Sequence, residues 1–399
     1  MIIKDFQIHS VGSWMTEEAT MVCNSCTARV FFSVPQKFEN IICCTNADAF
    51  LVAFIPIAAY INENIIIEGR PVSKQLKTNI ETILLPAFRQ MGCGSKSIMI
   101  MSETTDESTR GTKGASGISL GIDCFYSLLS ENENAIQYVI SLIDSPNWEE
   151  TDNRLCSDLF VKKRQKIADE LDKTYIPIVS NVKSFYQELA HLHFEQVHTF
   201  CHLSCSMILL DGIHDYYYST GFSNQENKLD FSDTSHYDYL ISEVINYPSF
   251  TMHTSGAEKT RFQKTSFIAD NQLVRKNLEV CYYSKKRTQE KYINCTECNK
   301  CIRTASTLEV LGELDRFSVV FDTKLYQKQS SKHWGHIRYS AYIIKDIFAK
   351  EILQEAKARS FHLPADSWLF FFKEGIENQV RKIKRKLFHG SKHEFTGAN

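Results

Sequence analysis

The stretch TKGASGISLGIDCFYSL, Thr112–Leu128, decides how this chain is read. Its middle, SLGIDC (Ser119–Cys124), leads into DCFYSLLS, whose apolar residues recur at helical spacing. In open α/β sheets ligands collect at the carboxyl ends of strands. There the first turn of the following helix offers unpaired N–H groups and a positive dipole end to phosphate. Ser119, a glycine at 121 that admits close backbone approach, and Asp123 in the first helical turn suit a nucleotide phosphate with its Mg²⁺. The same letters also suit an ordinary strand-to-helix turn, and local chemistry leaves both readings open. The nearby GCGSKS (Gly92–Ser97) is a turn and not a Walker loop, because Ser95 separates the last glycine from the lysine.

Working outward, SIMIMSE (Ser97–Glu103), AIQYVISLID (Ala135–Asp144) and YIPIVS (Tyr175–Ser180) read as strands. A polar loop containing Gly111 and Gly114 follows the first of them. RLCSDLFVKKRQKIADELDK and the segment from about Ser184 read as helices. Strands alternating with helices at short spacing predict an α/β fold, a parallel sheet with flanking helices. Upstream, ATMVCNSCTARVFFSV and NENIIIEGRPVS read as strands and KQLKTNIETILLPAFRQM as a helix, so residues 1–95 form an α+β accessory domain. The α/β domain then covers 96–280. A polar loop begins after Ser219, GAEKTRFQKTSFIADNQLVRKNLEVC is mostly helical, and a helical region over 321–399 ends in the basic run RKIKRKLFHGSKH.

The chain has 399 residues, 43% hydrophobic and 12% aromatic, enough for a globular protein of two or three domains. A net charge of -2 excludes a globally basic nucleic-acid binder and confines any polyanion site to a local patch. The start has no secretory pattern, and AFLVAFIPIAAYI (Ala49–Ile61) is too short to span a bilayer, so the expectation is a soluble cytoplasmic protein. Thirteen cysteines in such a chain point to metal binding, chemistry or core packing rather than a disulfide framework.

Four of the cysteines stand together. Cys281, Cys295, Cys298 and Cys301 form a C-x13-C-x2-C-x2-C pattern within 281–320. Two successive x2 spacings bring three thiolates around one point, and a fourth from the preceding segment completes the tetrahedral shell that Zn²⁺ prefers. A closed four-cysteine site leaves no open coordination position, so its expected role is folding stability.

SLGIDC resembles the S-G-G-x-D-S loop of the PP-loop, or N-type, ATP pyrophosphatases, an adenine nucleotide alpha hydrolase-like, Rossmann-like fold. The cysteine pattern resembles the zinc site near the end of the 7-cyano-7-deazaguanine synthase branch of that superfamily. NIIIEGRPVS, SGAEKTRFQKT and CTECNKCIRTASTLEVLGELDRF also resemble segments of PP-loop proteins of similar length with an added N-terminal domain. The resemblance implies a reaction in which ATP activates a carbonyl or amide-type oxygen as an adenylate, pyrophosphate leaves, and a nitrogen or sulfur nucleophile replaces it. It implies ATP, Mg²⁺ and Zn²⁺, a small-molecule or peptide substrate and an ammonia or sulfur donor protein. It allows a homodimer and calls for neither membrane nor nucleic acid.

Under the resemblance, Ser119 and the backbone of Leu120, Gly121, Ile122, Asp123 and Cys124 hold the pyrophosphate, and Asp123 orients Mg²⁺ or the loop. Arg261 is the basic residue offered to the phosphates or the adenylate, though with Glu258 and Lys264 it also fits an exposed charged helix face. Two letters depart from the family pattern. Leu120 stands where the loop has its first glycine, adding a Cβ, and Cys124 replaces the last serine, exchanging a good hydroxyl donor for a weak thiol. Either the loop still works or ATP turnover has been lost, leaving a nucleotide-binding or interaction protein. At the start of a helix the dipole would lower the Cys124 pKa, which opens a persulfide relay to a thioamide or thiopurine-like product as a second reading.

Other patterns carry weaker expectations. His198 and His202 lie at i, i+4 with His193 near, a metal-capable spacing that also suits core or surface histidines. Cys23 and Cys26 form a C-x-x-C that Cys43 and Cys44 would complete as a second metal site, or that would act as a redox pair. Tyr216, Tyr217 and Tyr218 either stack on a heteroaromatic substrate or form a plain buried strand.

Overall fold

Three ten-residue strands open the computed structural model: β1 (Ile2–Val11), β2 (Trp14–Cys23) and β3 (Cys26–Pro35), paired antiparallel in chain order. The structure describes residues 1–23, 26–106, 111–145, 159–283 and 290–389. In β3, Val30, Phe32 and Val34 enter the main core, while Phe31 turns to the opposite face against Trp14 and Val179. That is the two-residue period of a strand covered on both sides. The apolar run after it forms α1 (Asp48–Ile61), buried along almost its whole length and closed by Asn62 in the left-handed region at φ 61°. Next come β4 (Ile65–Ile67), β5 (Val72–Ser73), α2 (Lys74–Asn79) and α3 (Leu85–Gln90), the two helices joined by a π-helical turn over Ile80–Leu84. Short strands β6 (Ile100–Met101) and β7 (Thr104–Thr105) follow.

The parallel part of the sheet comes next. It contains β8 (Lys113–Gly117), β9 (Tyr138–Asp144), β10 (Thr174–Ser180), β11 (Ile213–Ser219) and β12 (Thr251–Ser255). Connecting them are α4 (Ile122–Ser130), α5 (Leu159–Glu170), α6 (Val182–Ala190), α7 (His198–Met207) and α8 (Asp238–Ile245). The expected α/β class is therefore observed, with a large, mostly parallel sheet. The helix read from 154 is described from Leu159 onward, and its first residues lie outside the described part.

Two strands differ from expectation. Lys113–Gly117 is a strand where a polar loop with Gly111 and Gly114 is predicted; the sequence KGASG has little β propensity. Tertiary contact imposes it. A Cβ on Gly114 would lie 1.7 Å from the Ala135 carbonyl oxygen, so only glycine lets that connection cross the strand. β12, in TMHTS, also goes unpredicted because its polar residues hide the period.

Among the described residues the sheet has ten strands in the order β12-β11-β8-β9-β10-β3-β2-β1-β4-β6, and β5 pairs with β7 apart from it. Strands β10, β9 and β8 step in one direction and β11 and β12 lie on the other side of β8, so the strand order reverses between β8 and β11. The segment Ile118–Gly121 leaves β8 at that reversal.

The strands of residues 1–95 join this same sheet. β3 pairs antiparallel with β10 through Ser33 and Phe32, and Asn181 braces the join by accepting from the Phe31 amide at 3.1 Å and donating to the Arg29 carbonyl at 2.8 Å. Asp48, buried at the head of α1, accepts from the Ser73 amide at 2.8 Å and the Tyr247 hydroxyl at 2.8 Å. Asn79 of α2 donates to the Val244 carbonyl at 3.0 Å. Contacts divide the chain into two compact units, Met1–Thr260 and Arg261–Asn399.

The second unit is helical where described: α9 (Arg261–Ile268), α10 (Gln272–Asn277), α11 (Asn299–Val310), α12 (Thr323–Lys328), α13 (Ser330–Tyr339), α14 (Ile347–Ala358) and α15 (Ser367–His389). Phe262, Ile302, Trp334, Ile337 and Ile352 form its core. Among the described residues no helix is long and apolar enough to cross a membrane.

Candidate functional site

The loop after β8 is held from both sides. Arg164 of α5 is buried, and its Nε donates to the Ile118 carbonyl at 3.1 Å while Nη2 donates to the Ser119 carbonyl at 3.2 Å. In a trans peptide the N–H points away from the preceding carbonyl. Pinning these two carbonyls therefore turns the Ser119 and Leu120 amides to the other side, toward the Cys124 sulfur, whose thiolate form they favour. The Cys124 thiol in turn donates to the Gly117 carbonyl at 3.3 Å, and the Ser119 hydroxyl accepts from the Gly121 amide at 3.3 Å. No residue of the sequence pattern pointed to Arg164, which sits in an otherwise ordinary charged helix; only the fold brings it under the loop.

Leu120 occupies the left-handed region at φ 63°, the conformation that favours glycine, and its side chain is fully buried. An L-residue there costs about 1–2 kcal/mol. The added Cβ thus points into the core and not toward the loop's exposed side, where Ser119 lies. Gly121 is the N-cap of α4, and no side chain caps the helix's first turn. Asp123 sits in that turn, half-buried.

Burial pushes the Cys124 thiol up from its ordinary value, outweighing the loop amides, the Ser119 hydroxyl and Arg164, which all favour the thiolate. The expected lowering by the helix start is thus reversed, because desolvation of an enclosed sulfur exceeds the stabilisation by nearby dipoles. Cys124 is a neutral thiol that ties the first turn of α4 back to the Gly117 carbonyl.

Around α4, the Tyr126 hydroxyl donates to Glu258 at 2.7 Å, tying the helix to the turn after β12. Ser255, the last residue of β12, donates to Glu131 at 2.6 Å. Arg261 begins the second unit, where its guanidinium lies 4.5 Å from the Phe348 ring, with Arg303 on the same ring at 4.8 Å. Lys264 is buried, so the segment is not the exposed charged face that its composition allowed.

The four cysteines of the second unit converge. The Sγ atoms of Cys281, Cys295, Cys298 and Cys301 all lie within 4.8 Å of one another, with Cys295 to Cys301 at 3.8 Å and Cys281 to Cys298 at 4.0 Å. Four sulfurs about 2.3 Å from a central zinc stand about 3.8 Å apart, so the donor set and its spacing fit a tetrahedral metal ion. Amides support the sulfurs: Tyr283 N–H donates to Cys281 and Cys298 N–H to Cys295, each at 3.3 Å.

Asn294, which the cysteine spacing did not single out, locks the two ligand arms together. Its Oδ1 accepts from the Val280 and Cys281 amides at 2.9 and 3.2 Å, and its Nδ2 donates to the Leu278 and Val320 carbonyls at 2.9 and 3.2 Å. Thr296 takes a left-handed φ of 65° inside the knuckle, and its hydroxyl accepts from the Asp322 amide at 3.3 Å.

The remaining sequence candidates are placed elsewhere. His198 bonds the Tyr218 hydroxyl at 2.7 Å and Asp233 at 3.2 Å, whereas burial pushes His202 down to about 4. His193 caps a short 3-10 turn. The sulfurs of Cys23 and Cys26 are 3.6 Å apart across the β2–β3 pair, and burial pushes Cys26 up to about 11. Among the described residues the four cysteines of the second unit are the one group arranged to hold a metal ion. Tyr216, Tyr217 and Tyr218 lie on β11; the first and last are buried, and Tyr217 stacks on His253 at 4.6 Å. Comparison of the chain with protein-family models, curated proteins and solved structures yields no match.

Proposed function

We propose that the chain is an ATP pyrophosphatase of the PP-loop type, which activates a carbonyl or amide-type oxygen on a small molecule or peptide as an adenylate and then substitutes it with a nitrogen nucleophile. The supporting observation is the position of Ser119–Cys124: it leaves β8 where the strand order reverses, the place where α/β sheets bind nucleotides. ATP phosphates would meet the exposed Ser119 and the uncapped start of α4, with Mg²⁺ near Asp123. Because Leu120 directs its side chain inward, it leaves that face open. Catalysis here rests on positioning and charge neutralisation by the loop and the helix start, with no side chain required as acid or base.

Burial and protonation of Cys124 favour nitrogen over a sulfur relay through this residue. Zinc, held by Cys281, Cys295, Cys298 and Cys301, would stabilise the second unit without entering the chemistry. The test is AMP and pyrophosphate release with candidate carboxamide and carboxylate substrates, and thermal stabilisation by Mg-ATP. Asp123→Ala is expected to abolish AMP release while the fold persists. ATP that neither raises the melting temperature nor yields AMP with any candidate would reject the reading.

A further inference from the structure

The helix α15 has two unlike faces. Its inner face packs on α13: Phe371 meets Tyr339 at 6.1 Å between ring centres, Glu374 accepts from His336 at 2.9 Å, and a Cβ on Gly335 would lie 2.5 Å from Phe370. Its outer face carries Leu369, Phe372, Ile376 and Val380, exposed by 71, 60, 66 and 44%. At about 100° per residue these four fall within an arc of about 80°, a narrow apolar seam running the length of the described surface. Tyr342, itself 48% exposed and stacked on Trp368, widens it. An apolar seam of this kind on a water-facing helix needs a cover.

The charges beside the seam identify the cover. Along one border lie Asp366, Lys373, Glu377 and Lys384, all exposed. Read from the N-terminal end the order is acid, base, acid, base; an antiparallel copy presents base, acid, base, acid. Antiparallel overlap places Lys373 against the partner's Glu377 and Asp366 against the partner's Lys384, and two-fold symmetry repeats each pair. The same overlap centres the two-fold axis at residue 375, so Phe372 falls level with the gap between the partner's Ile376 and Val380, and Ile376 level with the gap between the partner's Phe372 and Ile376. Parallel pairing would turn this border toward the partner's opposite border at Trp368 and Gln379 and leave its charges without opposite partners, and an anionic lipid surface would meet Asp366 and Glu377 beside the seam.

We propose that α15 is a self-recognition surface on which a second copy of this chain docks antiparallel, through the Leu369–Val380 seam and the Asp366, Lys373, Glu377 and Lys384 border. Sedimentation velocity on the full chain over a concentration series is expected to show a species of twice the 45.9 kDa chain mass. Ile376→Asp, a substitution at a water-facing position, is expected to weaken association at least about tenfold with an unchanged melting temperature. Lys373→Glu and Glu377→Lys each weaken it, the double variant Lys373→Glu/Glu377→Lys restores it, and a mixture of the two single variants forms a heterodimer. A single-chain mass at every concentration overturns the proposal. So does a double variant no better than the singles, or a monomer whose seam instead binds phosphatidylserine vesicles in an Ile376-dependent way.

Discussion

Arg164 is the residue on which the loop's geometry turns. It is buried with its guanidinium over the Phe160 ring, and it donates to two successive loop carbonyls. Replacing it by methionine keeps the apolar stem and strands those carbonyls, each costing about 1–3 kcal/mol when buried and unpaired. Chemical denaturation of Arg164→Met is expected to show a loss of about 2–4 kcal/mol, with Arg164→Lys recovering part of it. A loss within error of zero would mean the loop holds its shape without this arginine. Leu120 and Cys124 belong to the same scale. Both depart from the loop pattern that SLGIDC resembles, and both side chains turn inward: leucine into the core, the thiol onto the Gly117 carbonyl. The departures therefore alter how the loop is held and leave the exposed side to Ser119 and the first turn of α4.

At the scale of elements, β8 shows how a strand of small residues can be the centre of a sheet. Its neighbours are β11 and β9, and the connection through Ala135 crosses so closely that a Cβ at 114 would overlap the carbonyl oxygen at 1.7 Å. Gly114→Ala must push that connection away, breaking the bond from the Gln137 amide to the Gly114 carbonyl at 2.9 Å. The expected outcome is a loss of about 3 kcal/mol or more, seen as a large fall in melting temperature or as insoluble protein. Alanine tolerated here without a shift would contradict the close crossing. The helices α4, α5 and α6 were legible from their apolar spacing, as were β9 and β10 from their unbroken apolar runs. β8 and β12 were not, because their identity as strands depends on neighbours and not on the period of their own side chains.

For the whole molecule, the two units are stabilised by different means. Met1–Thr260 has a large apolar core on a ten-stranded sheet, whereas the second unit is smaller and places four cysteines around one point. A closed four-cysteine metal site contributes folding free energy to the segment whose ligands it gathers. Treatment with a strong chelator is expected to remove about one zinc per chain and to raise amide exchange in peptides covering 278–320, with the peptides of β8 to β11 unchanged. Exchange that stays the same after metal removal, or metal content well below one per chain, would reject the structural role. The sequence alone determined the α/β class, the helix that follows Ser119–Gly121 and the four-cysteine set, because periodicity and ligand spacing are local properties that neighbouring residues carry by themselves. Tertiary structure alone decided that residues 1–95 extend the same sheet and that Arg164 and Asn294 hold the two sites. It also decided that Cys124 is a buried neutral thiol. Each of those depends on burial or on a partner far along the chain, and long-range packing leaves no local pattern by which it can be read.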